Sequence, residues 1–211
     1  NFEIVEERHY RQKALIVRKG KFTYLAVRGT IINLKNFKSD LDYKKKRDNL
    51  TGCYFHEGFL KNAYKLKDKI HAKVTPNEPL IITGHSLGGA VACILQQLLK
   101  LERYQIYEAV TFGQPKVTNK EGFEQFKESR LTRYVNSYDE VTTVPPKTLL
   151  SWFNHGTYVH FGTMVHLKED NSFERIPNGN IGFFKNLFKL TIEDHHMELY
   201  LRKMKNFALV S

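Results

Sequence analysis

The most constraining stretch of this 211-residue chain runs from Leu80 to Ala90, Leu-Ile-Ile-Thr-Gly-His-Ser-Leu-Gly-Gly-Ala. The short apolar run after Pro79 suits a fully buried strand. From 87 to 101 the chain reads as a helix, with Ala90, Val91, Ile94, Leu95, Leu98 and Leu99 turned inward. Between the two, Gly84–His85–Ser86–Leu87–Gly88 reads Gly-x-Ser-x-Gly. Composition alone produces such a pattern in roughly 7% of chains this long. Its place on a strand-to-helix turn gives it a mechanism. A sharp turn projects the serine hydroxyl, and glycines at 84 and 88 remove side chains that would collide. The helix N-terminus beside it favours developing negative charge. The competing reading is a glycine-rich cap in which Ser86 only closes the helix end.

Strands and helices alternate around this turn. Residues 14–17 and 22–27 are β-rich and separated by Lys19–Gly20, a hairpin signature. Residues 58–73 place Phe59, Ala63, Leu66 and Ile70 on one helical face. Residues 107–112 and 133–137 read as strands, 119–129 as a helix, and 195–205 as a last helix. Residues 158–161 and 164–167 flank Gly162 and are expected to pair. This alternation predicts an α/β fold with a mostly parallel central sheet flanked by helices. The length predicts one domain over residues 1–211. The chain opens at Asn1 with no signal-like apolar segment, as one trimmed at its N-terminus would, which leaves secretion and compartment open.

Composition narrows the chemistry. Two cysteines, Cys53 and Cys93, exclude a disulfide framework and a multi-cysteine zinc site, and leave one disulfide open. No apolar run approaches the ~18–20 residues of a membrane span. Lys and Arg number 33 against 22 Asp and Glu, a net charge of +11. Such a charge suits nucleic acid, an anionic membrane surface, an acidic partner or only solubility. No RNP, KH, zinc-finger or helix-turn-helix signature is present, so no nucleic-acid partner is expected. The densest basic run, Lys44–Lys45–Lys46–Arg47, reads as a solvated turn.

A serine hydroxyl is a weak nucleophile at neutral pH and needs a base oriented by a third group. In α/β-hydrolases the order along the chain is Ser, then Asp or Glu, then His. After Ser86 the histidines are His155, His160, His166, His195 and His196. The acid should follow a later parallel strand, where Asp139 stands just past residues 133–137 with Glu140 as its competitor. His195 and His196 follow Asp194; one is a candidate base, and both could simply open a helix to solvent. His160 and His166, six apart, would share a face of a continuous strand, but no third ligand has metal-site spacing, so no metal is expected.

Further segments occur in a definite order: Val27–Arg28–Gly29–Thr30, Phe55–His56–Glu57–Gly58–Phe59, the Ile82-to-Ala90 elbow, and Thr111–Phe112–Gly113–Gln114–Pro115–Lys116–Val117. After them come Asn136–Ser137–Tyr138–Asp139–Glu140–Val141, Tyr158–Val159–His160–Phe161–Gly162, and Asp194–His195 with Tyr200. In that order they resemble the class 3 lipases, the fungal-type α/β-hydrolase family that includes phospholipases A1 and feruloyl esterases. The resemblance runs from about residue 22 to 200. It implies an α/β-hydrolase fold with Ser86 as nucleophile, Asp139 as acid and His195 as base. It places the oxyanion hole at Leu87 N–H and Thr30, makes His160 structural, and calls for no cofactor. It implies a serine ester hydrolase cleaving acyl esters of lipids, of triacylglycerol lipase or phospholipase A1 type, through an acyl-enzyme on Ser86. The alternatives are a soluble carboxylesterase or feruloyl-type esterase, and a non-catalytic lipid-binding domain of the same fold. Two departures stand out: Val141–Thr142–Thr143 replaces the family's early proline after the acid, and His196 doubles His195.

In that family the segment after the oxyanion residue often forms a lid. Here Ile31, Leu34 and Phe37 recur every three residues with Ile32 beside them, so they are candidate lid and lipid contacts. Ordinary packing is the competing reading. Residues 181–190 mix aromatics with lysines and suit a lipid interface or a core-facing element. The expected partners are an acyl lipid substrate and an anionic membrane surface, bound peripherally through the +11 charge.

Overall fold

The computed structural model describes residues 2–7, 12–29, 43–146, 155–179 and 189–210. Its first elements are β1 (Phe2–Glu7), β2 (Gln12–Lys19), β3 (Phe22–Val27), β4 (Lys45–Arg47), β5 (Tyr54–His56), α1 (Glu57–His71) and β6 (Leu80–His85). Then follow α2 (Leu87–Leu101), β7 (Ile106–Phe112), α3 (Lys120–Phe126), β8 (Leu131–Asn136), β9 (Thr163–Leu167), β10 (Phe173–Ile176) and α4 (Met197–Val210). Among the described residues, eight strands form one sheet in the order β1-β2-β3-β6-β7-β8-β9-β10. The central pairings from β3 to β9 are parallel, and those at the two edges are antiparallel. β4 and β5 pair separately.

The hairpin around Gly20 is β2–β3, with Lys19 opposite Phe22 and Gly20 at φ 59°, a backbone that glycine adopts without steric cost. α1 buries Phe59, Ala63, Leu66 and Ile70, and its N-terminus is capped by His56 Nδ1, which accepts from Phe59 N. α2 is buried on every side from Leu87 to Leu99, as a mostly apolar helix must be, and its buried Gln96 is satisfied by donating Nε2 to Arg130 O (2.8 Å). Both helices share a core with Leu25, Leu80 and Ile82 of the sheet. On the opposite face Phe112, Tyr134, Val165 and Leu167 pack with Met197, Tyr200 and Met204 of α4. Helices therefore flank the sheet on both sides, and the loops at the C-terminal ends of β6 and β8 open on one edge.

One expected pairing is not made. β9, which contains Met164–Leu167, lies between β8 and β10, while Val159 bridges to Thr118. Val159 N donates to Thr118 O (2.8 Å) instead, and the end of the segment is taken by a buried cation. Arg133 of β8 is 1% exposed, and its Nε donates to Phe161 O (2.8 Å), with Gly179 O taking a second N–H. The Phe161 carbonyl turned toward that guanidinium is not available to a hairpin with β9. Burial pushes the Arg133 pKa down to about 10. Cys53 and Cys93 are separate, buried and free, so the disulfide left open by the sequence does not form. Among the described residues no helix is long and apolar enough to cross a membrane.

Candidate active site

β6 ends in His85, and the chain turns at Ser86 with φ 58° and ψ −129° before α2 begins. A non-glycine residue held there stores strain on the order of 1–3 kcal/mol, retained only where the surroundings impose it. Here they do. Ser86 N donates to Phe112 O of β7 (2.9 Å). A Cβ on Gly84 would overlap the Gly88 carbonyl, and one on Gly88 would lie 2.6 Å from Gly29 N. The Ser86 side chain makes no capping hydrogen bond, which removes the reading of Ser86 as a mere helix cap. Leu87 opens α2, so its N–H is among those left without an intrahelical acceptor.

Asp139 leaves β8 and is fully buried. Its Oδ1 accepts from Val141 N (2.9 Å), closing the short 3-10 turn Glu140–Thr143. Its Oδ2 takes two donors, His195 Nδ1 (2.8 Å) and the Tyr200 hydroxyl (2.5 Å). With Nδ1 as the donor, the proton-free position of His195 is Nε2, which is buried and has no hydrogen-bond partner among the described residues. Burial, then the Asp139 charge, pushes the Tyr200 pKa well above its ordinary value, so the phenol stays a donor. The candidate pair is thus Asp139 with His195. His196 is exposed.

The histidine loop is tied to the acid loop by Asn136 Nδ2 donating to Asp194 O (2.9 Å), Tyr138 N donating to Asp194 Oδ2 (3.0 Å), and a bridge between Asp139 and Thr191. Two contacts escaped the sequence reading. Gly113, at φ 56°, lies under the pair: a Cβ there would sit 2.7 Å from His195 Nδ1 and 2.8 Å from Asp139 Oδ2. In sequence it stood within the Thr111–Val117 segment of the family resemblance, but nothing there marked its contact with the pair. His85, the variable position of the elbow motif, stacks on His195 with centroids 4.5 Å apart, and its Nε2 bonds to His195 O (2.8 Å). Burial, then the neighbouring His195, lowers the His85 pKa to about 4, so it is neutral beneath its partner at neutral pH.

Other candidates separate from this cluster. His160 is buried with Nε2 on Thr142 O (2.7 Å), and His166 bonds to Ser137 O (2.7 Å). Among the described residues no three His, Cys, Asp or Glu side chains are grouped to hold a metal. Thr30 and the candidate lid residues Ile31, Ile32, Leu34 and Phe37 lie outside the described residues, as does most of 181–190. Gly29 is described, and a Cβ there would lie 3.7 Å from Ser86 Cβ.

The model of the class 3 lipase family, Lipase (class 3), matches residues 24–149. The chain belongs to the class 3 lipases. This class 3 lipase chain is 33% identical over 102 residues to secreted mono- and diacylglycerol lipase 1 of Fusarium solani, covering 45% of this chain and 30% of that protein. It is 30% identical over 152 residues to triacylglycerol lipase OBL1 of Ricinus communis, covering 65% of this chain and 27% of that one. It therefore spans less than a third of the length of these curated relatives. The solved triacylglyceride lipase of Rhizomucor miehei superposes with a TM-score of 0.78 at 20% identity, over 92% of this chain and 77% of that one. That likeness is one of fold, and the fold is the α/β-hydrolase.

Proposed function

We propose that this class 3 lipase chain is a serine ester hydrolase acting on acyl lipids, with Ser86 as nucleophile, His195 as base and Asp139 as acid. One observation carries the reading: a fully buried Asp139–His195 pair whose second imidazole nitrogen is unpartnered, held over Gly113 next to the strained Ser86 turn. In this reading Ser86 Oγ attacks the acyl carbonyl while its proton passes to His195 Nε2. Asp139 stays ionised and stabilises the imidazolium through Nδ1–H. The oxyanion of the tetrahedral intermediate is received by Leu87 N–H and Thr30. Collapse breaks the ester C–O bond, and His195 returns its proton to the departing alcohol. Water, deprotonated by His195, then attacks the acyl carbonyl; the bond to Ser86 Oγ breaks, His195 returns the proton to that oxygen, and the fatty acid leaves.

The lipase relatives support a glyceride substrate, since those proteins act on mono-, di- and triacylglycerols by name. The test is labelling by a fluorophosphonate. Wild-type protein is expected to be labelled on Ser86, and Ser86→Ala to lose both labelling and ester hydrolysis by about four orders of magnitude or more. Absence of labelling in the wild type would overturn the reading. Comparing emulsified long-chain glycerides with soluble short-chain esters then assigns the substrate; activity confined to the soluble esters would displace lipids.

A further inference from the structure

Alternation along β6 turns Leu80 and Ile82 into the core shared with α1 and α2, and Ile81, Thr83 and His85 to the other face. α4 lies on that second face, where the rings of His85 and Tyr200 meet edge to face with centroids 6.0 Å apart. His85 also stands in register with Phe112 of β7. The histidine loop arrives on this side, and His85 meets it twice. The His195 carbonyl can only accept, so His85 Nε2 carries the proton and donates to it (2.8 Å). The His85 ring stacks on the His195 ring, with planes inclined by 28°. The hydrogen bond holds the backbone of His195, and the stack restrains its ring.

His85 and Ser86 are joined by one peptide bond. The bond to Asp139 orients His195 relative to β8, which stands two strands away from β6 in the sheet. His85 registers the same imidazole against β6, the strand that ends in the Ser86 turn. A misplacement of about 1 Å between reacting groups costs about 100-fold in rate. The His85 ring also bears on charge. In the proposed mechanism His195 becomes an imidazolium when Ser86 gives up its proton. The titratable groups acting on His85 are His195, Asp139 and Glu198, beside Tyr200. Uncharged at neutral pH, His85 presents the imidazolium with a neutral ring rather than a second cation.

We propose that His85 is a positioning residue for ester hydrolysis, registering the His195 imidazole on the Ser86 turn through its hydrogen bond to His195 O and its ring stack. This rests on the reading of Ser86, His195 and Asp139 as the reacting set. Three variants separate the contacts. His85→Ala removes both, His85→Phe keeps a ring without the donor, and His85→Gln keeps a donor of similar reach without the ring. On a soluble p-nitrophenyl ester, His85→Ala is expected to lower kcat about 100-fold with KM within about twofold. The rate of fluorophosphonate labelling of Ser86 should fall in parallel. His85→Gln and His85→Phe should each recover part of the loss, to about tenfold below wild type. At completion, labelling should reach the same occupancy of Ser86 in every variant.

Fewer labelled sites with an unchanged rate at each would overturn the proposal, because His85 would then only support folding. So would a His85→Ala kcat within about twofold of wild type, or a loss carried by KM alone. If His85→Ala does not fold, His85→Gln and His85→Phe carry the test, and wild-type labelling rates in both overturn it. A labelled wild type with an unaffected His85→Ala would sink the positioning role alone. A wild type that takes no label on Ser86 would sink the hydrolase reading instead.

Discussion

At Asp139, two donors meet on one carboxylate oxygen while the other is taken by a backbone N–H. A hydrogen bond to an ionised group contributes about 1.5–3 kcal/mol. In the proposed mechanism the Asp139 charge matters most when His195 carries a second proton. Tyr200→Phe is therefore expected to lower kcat about tenfold with KM nearly unchanged, and steady-state kinetics on a soluble ester checks this. A change confined to KM would mean that Tyr200 acts on substrate rather than on Asp139. This scale was partly legible in sequence. Asp139 and His195 stood out by order along the chain, but Glu140 and His196 are their immediate neighbours with the same chemistry. Choosing between adjacent residues depends on which way each side chain points, and that is set by a contact 56 residues away.

Among the elements, the close approaches at strand ends shape the site. β7 ends at Phe112, and Gly113 continues with φ 56° directly beneath His195. Gly113→Ala faces both a left-handed backbone and a Cβ 2.7 Å from the imidazole. The expected outcome is a loss of about 100-fold or more in kcat and weakened fluorophosphonate labelling, with the far-ultraviolet dichroism of the wild type. Wild-type kinetics in a folded Gly113→Ala protein would mean that the pair sits elsewhere during turnover. The parallel strands and their helices were legible because short-range periodicity encodes them: Phe59, Ala63, Leu66 and Ile70 face inward as their spacing requires. β4, β5 and β10 were not, being only three or four residues long, too short to show a period, and in β4 and β10 carrying charge as well. The pairing across Gly162 misled because the glycine resembles a hairpin turn, whereas Arg133 claims the carbonyl beside it.

Across the molecule, buried histidines couple stability to pH. His85 titrates near 4 and His160 well below 6.5, in both cases chiefly because burial disfavours the cation. Between pH 6.5 and 4 the unfolded chain binds more protons than the folded one, so stability rises with pH across that window and falls on acidification. His85 alone is expected to remove about 3 kcal/mol by pH 4, with His160 acting in the same direction. Urea midpoints at neutral and acid pH, for wild type and His85→Gln, check it; the variant should lose less stability on acidification. Equal losses would place the acid sensitivity in other groups.

The sequence by itself determined the elbow, the alternating elements and the family resemblance, because local sterics and hydrophobic period act over a few residues. It also determined the +11 charge, but as a total without a place. The tertiary structure decided that His195 rather than His196 meets Asp139, and that Tyr200 and His85 brace that pair. Those outcomes join residues remote in the chain, and only packing of the sheet against its helices brings them within reach of one another.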